Sequence, residues 1–246
     1  MPLTPARVLK TFRYGMLFDG VDDVVRVPNS PELQDADNLT IAMWVMSNRG
    51  LIIGMPSGFY GGVGKGYYYG FGWSGYIDGW GFYIYDGTTN QWNHAGNTPI
   101  MAGETQYVAV ANENRRSEIS VNAVVKSSTT FTISARRTGD PLSIGWFRAG
   151  YWYGIIYKFL LYNRGLSRSQ NLWNYNNPDD PVADGLVLSL HAHPDHIRDI
   201  DNDGILEWID LSGHGNHGKI YGARLVELVK EPARVLSPAR VLAPAR

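Results

Sequence analysis

Gly15-Met16-Leu17-Phe18-Asp19-Gly20-Val21-Asp22-Asp23-Val24-Val25-Arg26-Val27-Pro28-Asn29-Ser30, followed by Leu39-Thr40-Ile41-Ala42-Met43-Trp44-Val45, decides the fold class of this chain. Two short runs of strand-forming residues, Met16–Phe18 and Val24–Val27, flank Asp-Gly and Asp-Asp pairs, which are turn chemistry. In the second segment Leu39, Ile41, Met43 and Val45 alternate with Thr40, Ala42 and Trp44. That period belongs to a strand with one buried face.

Working outward, similar runs recur at Gly81–Tyr85, Tyr107–Ala111, Glu118–Val125, Phe131–Ser134, Leu142–Ile144 and Ile155–Tyr162. Gly, Asn, Asp and Pro punctuate them at the spacing of a sandwich or barrel. Only one segment reads as a helix. Ser167-Arg168-Ser169-Gln170 is a capping box followed by Leu172 and Trp173, enough for about two turns.

Composition agrees. The 246 residues are 44% apolar and 18% charged, with 22 basic and 23 acidic side chains, so a proper core is available and whole-chain disorder is excluded. A net charge of −1 supplies no field for nucleic acid, and no run reaches the roughly 18 apolar residues of a membrane helix. Residues 1–13 lack the apolar run of an ordinary secretory signal. With no cysteine, disulfides, thiolate nucleophiles and Cys-based zinc sites are all excluded. The 28 Gly, 15 Tyr and 8 Trp lean towards all-β.

Residues 59–92 concentrate thirteen aromatics among many glycines. Rings on Gly-rich loops suit stacking on sugars or on a partner protein, while a twisted sheet would use the same rings as core. Tyr67, Tyr69, Trp73 and Trp80 are the expected carbohydrate-binding rings at the loop tips.

The opening stretch resembles the laminin-G-like, concanavalin A-like lectin/glucanase family, in which "FDGxDDYVxVPxS" precedes a strand ending in "AWV". Pro141-Leu142-Ser143-Ile144-Gly145 is similar to "PLxIG", and Tyr153-Gly154-Ile155-Ile156 through Leu161-Tyr162-Asn163-Arg164-Gly165-Leu166-Ser167 to "xGxIDEVRIYNRALS". The resemblance spans roughly residues 15–175 and implies a jelly-roll sandwich of two antiparallel sheets, used mostly to bind glycans or proteins. Tyr157-Lys158 stands where the family has Asp-Glu, which puts its rim calcium site in doubt. The family's hydrolytic branches carry Glu-x-Asp-x-x-Glu on one strand; the nearest run here, Leu206–Asp210, lacks the second Glu.

Residues 184–225 carry a second resemblance. Asp184–Leu190 and Asp210–Ala223 look like "GLVxxWxxD…DxSGNGNHGxxxGA", which in relatives precedes the opening stretch rather than following it. The sandwich is then circularly permuted, or this segment completes the sheet of a neighbour. Pro5-Ala6-Arg7-Val8-Leu9 recurs at Pro232–Leu236 and Pro238–Leu242. The domain plan is therefore an N-terminal arm (1–14), a sandwich (15–229) and an extended C-terminal arm (230–246). In an extended arm Arg234, Arg240 and Arg246 stand roughly 20 Å apart, which suits assembly along a second copy of the chain.

Asp199-Ile200-Asp201-Asn202-Asp203-Gly204-Ile205-Leu206-Glu207-Trp208-Ile209-Asp210 fits a twelve-residue calcium loop. Asp199, Asp201, Asp203, the Ile205 carbonyl, Glu207 and Asp210 are its expected ligands; a solvated acidic loop is the alternative. Asp19, Asp22 and Asp23 offer a second cation site or an ordinary turn. His191-Ala192-His193-Pro194-Asp195-His196 matches the HxHxDH metal motif of metallo-β-lactamases, but too few residues follow to supply the remaining ligands. Loop histidines or an adventitious metal are the readings left. Gly61–Gly66 lacks the strand–helix frame and the Ser/Thr of a phosphate loop, and Asn38-Leu39-Thr40 is a glycosylation sequon.

The sequence therefore predicts a non-enzymatic, lectin-like module on an extracellular or virion surface, binding glycans or cell-surface proteins. The repeated arms and missing signal suit a virion or host-attachment protein, including one of a virus infecting a thermophile. An architectural subunit contacting copies of itself is the alternative, and a glycan hydrolase of the same fold is disfavoured by the missing carboxylate pair.

Overall fold

A computed structural model describes residues 12–47, 59–65, 68–74, 79–96, 98, 103–147 and 150–228, the side chains of 59–61 and 73–74 aside. Tyr67, the Trp73 ring, Arg234, Arg240 and Arg246 lie outside this set.

Strands are numbered in chain order. The first sheet runs β10 (Val124–Thr130), β9 (Arg116–Val121), β8 (Thr105–Glu113), β3 (Leu39–Ser47), β14 (Tyr153–Tyr162), β1 (Tyr14–Asp19), β19 (Arg224–Glu227), with β15 (Leu186–His191) also on β14. The second runs β16 (Ile197–Arg198), β17 (Glu207–Trp208), β18 (Gly218–Tyr221), β2 (Val24–Val27), β11 (Leu142–Ile144), β4 (Phe59–Lys65), β5 (Tyr69–Ser74), β6 (Gly79–Tyr85), β7 (Asn90–Ala95). A short hairpin joins β12 (Trp146–Phe147) to β13 (Gly150–Tyr151). The pairings are antiparallel, and the result is the jelly-roll sandwich that the opening residues imply.

The core lies between the sheets. Met16, Ile41 and Val108 of the first face Val25, Val63, Phe71, Phe82 and Leu142 of the second, all at or near zero exposure. The first sheet is also covered on its other side, which corrects the one-faced reading of Leu39–Val45. Ala42 and Trp44 join Tyr107, Tyr157 and Tyr162 in a second buried cluster. The helix α1 (Arg168–Asn176) lies there, together with Phe12, whose ring stacks on Tyr157 at 4.8 Å. The capping box forms: Gln170 N–H donates to Ser167 Oγ, and Ser167 N–H to Gln170 Oε1. The helix faces inward with amides rather than Leu172 and Trp173, which are exposed. Tyr107 Oη donates to Asn171 Oδ1 at 3.1 Å, and Asn174 Nδ2 to Tyr162 Oη at 3.0 Å.

Two strand expectations change. Glu118–Val125 is not one strand but the hairpin β9–β10, turned at Asn122 and Ala123 with φ of 50° and 60°. Residues 131–134 are irregular, held by the buried Phe131 ring against Phe82.

Residues 184–225 place strands in both sheets of the same chain: β15 on β14, β18 on β2, and β19 on β1. Gly222 makes the last join possible. Its φ is +79°, and a Cβ there would lie 2.0 Å from Asp23 Oδ1.

Candidate functional site

The acidic loop between β16 and β17 forms half of the expected calcium geometry. Asp199, Asp201 and Asp203 bring one carboxylate oxygen each within 4.8 Å of one another. Their arrangement comes from the loop's own backbone. Asp199 accepts from the N–H groups of Asp203 (3.2 Å) and Gly204 (3.0 Å), and Asp203 from the N–H of Ile205 (2.8 Å). Asn202 (φ 59°) and Gly204 (φ 85°) supply the left-handed bends that bring these groups round.

The other half is not assembled. Glu207 is buried, and its Oε2 accepts from Ile200 N–H at 3.1 Å. Asp210 is buried in a different turn. It accepts from the N–H groups of Ser189, Ser212 and Asn216 and from the Ser212 hydroxyl, at 2.8–3.0 Å. Four local donors outcompete a loop several residues away, so Asp210 serves the turn of the "DxSG" segment. Lys219 of β18 reaches across to the loop and donates to Asp201 Oδ2 at 2.8 Å and to Asp203 Oδ2. The two carboxylates hold the Lys219 ammonium well above the usual lysine range, and the hydrogen bond from Lys219 in turn pulls Asp203 below the usual carboxylate range. A side-chain cation thus balances part of the acidic cluster.

Asp19, Asp22 and Asp23 also bring one oxygen each within 4.8 Å. Burial, reinforced by the Asp19 and Asp22 carboxylates, raises the pKa of Asp23, which accepts from Asp19 N–H at 2.8 Å.

The aromatic tract divides by strand parity. On β5 and β6 the inward positions are Tyr69, Phe71, Trp80, Phe82 and Ile84. Tyr69 and Trp80 are therefore not loop-tip rings, which corrects two of the expected glycan contacts. Trp80 is 0% exposed, beside Phe71 (5.3 Å) and Trp152 (6.0 Å); Tyr69 is 1% exposed and donates its hydroxyl to the Leu33 carbonyl at 2.6 Å.

The outward positions hold glycines and a second set of rings. Phe147 lies over Gly64 and Gly70, where an added Cβ would sit 2.3 and 2.2 Å from its ring. From Phe147 a row of rings crosses the sheet: Tyr83 at 5.9 Å, then Trp92 at 4.4 Å from Tyr83, then His94 stacked on Trp92 at 5.4 Å and 16°. The row begins buried and ends half-buried at Trp92 and exposed at His94, on the edge strand β7. Beside it, the buried Gly81 pairs with His94. Trp92 was one ring among thirteen in the sequence. The signal that singles it out is its two-residue spacing from His94, which sets both rings on one face of the strand.

Comparison with known proteins agrees with this architecture. No curated protein sequence matches the chain. Among solved structures, a Bacteroides ovatus protein described as carbohydrate binding superposes with a TM-score of 0.65 at 14% identity, over 88% of this chain and 60% of its own length. The chain thus spans about 60% of that protein, less than two thirds. The binding domain of Paraclostridial Mosquitocidal Protein 1 gives a TM-score of 0.54 at 12% identity, over 66% of this chain and 43% of that one. At these identities the likeness is one of fold. The family model of the concanavalin A-like lectin/glucanases superfamily matches residues 19–170, more than half of the sequence, and with the two-sheet architecture this settles the family: the chain belongs to the concanavalin A-like lectin/glucanases superfamily.

Proposed function

We propose that this chain is a carbohydrate-binding module that holds a glycan without cleaving it, displayed on an extracellular or virion surface. The observation that carries the reading is the row Phe147–Tyr83–Trp92–His94 on the outer face of the second sheet. Its buried end fixes the orientation of its open end, so Trp92 and His94 meet a ligand already ordered. A sugar presents an apolar C–H face that gains about 1 kcal/mol for each exposed ring it covers. The carbohydrate-binding description of the Bacteroides protein of like fold supports the same reading.

The absence of hydrolysis is part of the proposal. The outward positions flanking the ring row on β6 and β7 are Gly81, Tyr85 and Asn90, none of them a carboxylate. A panel of oligosaccharides on the purified protein tests binding, and reducing-end release tests cleavage. Trp92→Ala is expected to weaken binding about fivefold, the equivalent of one exposed ring, with the fold intact. Unchanged affinity in that variant, or sugar release by the parent, overturns the reading.

Host attachment through glycans or cell-surface proteins is the finer form of the proposal, resting on the resemblance and on the terminal repeats. The architectural alternative predicts that deleting residues 231–246 leaves a folded monomer where the full chain assembles. Calcium in the acidic loop also stands as a proposal: three convergent carboxylates support it, and Lys219 competes with it.

A further inference from the structure

Three histidines that the carbohydrate reading does not use meet at the end of β15. His191 closes that strand, His193 follows the buried Ala192, and the turn Pro194–His196 carries His196 back over both. The ring centroids are 5.3 Å apart for His193–His196, 5.7 Å for His191–His196 and 6.3 Å for His191–His193. All three side chains are partly open to solvent.

We propose that His191, His193 and His196 form a binding site for a single borderline divalent transition metal of the zinc class, with its remaining coordination position open to water.

The spacing carries this. With metal–nitrogen bonds of about 2.1 Å, each imidazole centroid sits roughly 3.2 Å from the ion, so three rings of a tetrahedral site are about 5.2 Å apart. Two of the three observed distances are within about half an ångström of that value. The third is about 1 Å wide, and the three ligand nitrogens are not yet within 4.8 Å of one another, so closing the site takes side-chain rotation of His191 and His193. His193, 39% exposed, has room to turn.

The surroundings favour ligation through Nε2. His196 Nδ1 lies 3.2 Å from the His191 carbonyl oxygen, and His193 Nδ1 lies 3.4 Å from the Asp195 carboxylate. For His196, the carbonyl behind Nδ1 takes the ring proton there and leaves Nε2 unprotonated for a metal, and the Asp195 carboxylate can do the same for His193. In its other tautomer His193 Nδ1 accepts from Asp195 N–H at 3.3 Å, so metal binding selects between two arrangements of one turn. Of the neighbouring charges, Lys158 sits opposite His191 across the strands and donates its ammonium proton to the Pro178 carbonyl. Asp179 and Asp195 supply the opposing negative charge. Imidazole donors without thiolate suit zinc, cobalt, nickel or copper rather than calcium or magnesium. The Tyr14 ring stands edge-on to His193 at 5.2 Å, so an occupied site ties the start of β1 to the end of β15.

Cobalt titration of the metal-free full chain tests the proposal. One equivalent of Co2+ is expected to give the intense visible absorption of a four-coordinate ion, and one equivalent of Zn2+ to abolish it. The carboxylate clusters supply only oxygen donors and the weak absorption of octahedral cobalt. His193→Ala and His196→Ala are each expected to weaken binding at least tenfold, while His214→Ala and His217→Ala leave it unchanged. If the first two variants fail to fold, the parent answers alone: zinc should protect His191, His193 and His196, and not His214, from diethylpyrocarbonate, read by peptide mass spectrometry. No four-coordinate spectrum in the parent, equal affinity in folded His193→Ala, or uniform modification with and without zinc each overturns the site.

Discussion

Replacing Trp80 distinguishes a core ring from a ligand-binding one. The indole is fully buried between the sheets, against Phe71 and Trp152. Truncating such a ring to alanine loses its transfer free energy and leaves a cavity, about 3–5 kcal/mol in all. A domain of this kind is stable by roughly 5–15 kcal/mol, so Trp80→Ala removes about a fifth of that or more. Trp80→Phe is the informative companion. The indole N–H has no hydrogen-bond partner among the described residues, so removing it strands no acceptor. What remains is a void of roughly 40 Å3, which at about 24 cal/mol per Å3 costs about 1 kcal/mol. Urea denaturation followed by circular dichroism measures both changes, with an unaltered m-value as the check on two-state unfolding. Trp92→Ala, at the open end of the ring row, should shift the midpoint far less. A Trp80→Ala protein that keeps its unfolding midpoint yet loses glycan affinity would refute the assignment of this ring to the core.

Burial lowers the Lys65 pKa from 10.5 to about 8, although its ammonium donates to Asn29 Oδ1 and the Asp140 carbonyl. The folded state therefore releases this proton first, and stability should rise with pH between about 8 and 10.5, by up to about 3 kcal/mol at about 1.4 kcal/mol per unit; Lys65→Met should flatten that slope in urea melts at several pH values. In the acidic loop, Lys219→Met removes the cation that competes with calcium. The variant's melting temperature should respond to calcium and to chelator more than the parent's, with about 2.7 kcal/mol gained at a hundredfold excess over Kd; an identical response in both proteins counts against a calcium site. Asn174→Ala strands the Tyr162 hydroxyl and the Val182 N–H, each left without its partner at about 1–3 kcal/mol, and should destabilise more than the exposed Leu172→Ala.

The sandwich was legible because its signals are local. Alternation at Leu39–Val45 and the turn chemistry between Met16–Phe18 and Val24–Val27 belong to adjacent residues, as does the Ser167 capping box. What was not legible depends on partners far along the chain. Parity separates Trp80 from Tyr83, but only pairing with β5 and β7 shows which side is core. The opposite face of β3 is covered by α1, more than a hundred residues later, and by amides that no hydrophobic pattern announces. Asp210 fits a metal loop by spacing, yet the N–H groups of Ser189, Ser212 and Asn216 claim it. Lys219 is invisible as a loop partner until β18 lies beside β17. Single residues report their own turn well; the loss of a face or a ligand to a distant competitor is a property of the assembled sheets.

The antiparallel seam between β1 and β19 sets Tyr14 opposite Glu227, with Arg13 and Glu227 paired just outside it. The chain therefore enters and leaves the sandwich at one point on the rim of the first sheet. Tension drawn between these two ends would open the seam one backbone pair at a time, like a zipper, rather than shear all its hydrogen bonds together, so the domain yields at low force along that axis. Held at both ends on a single support, the domain would experience no such opening load, and a pull on a glycan at the proposed Trp92 site would pass instead through the body of both sheets.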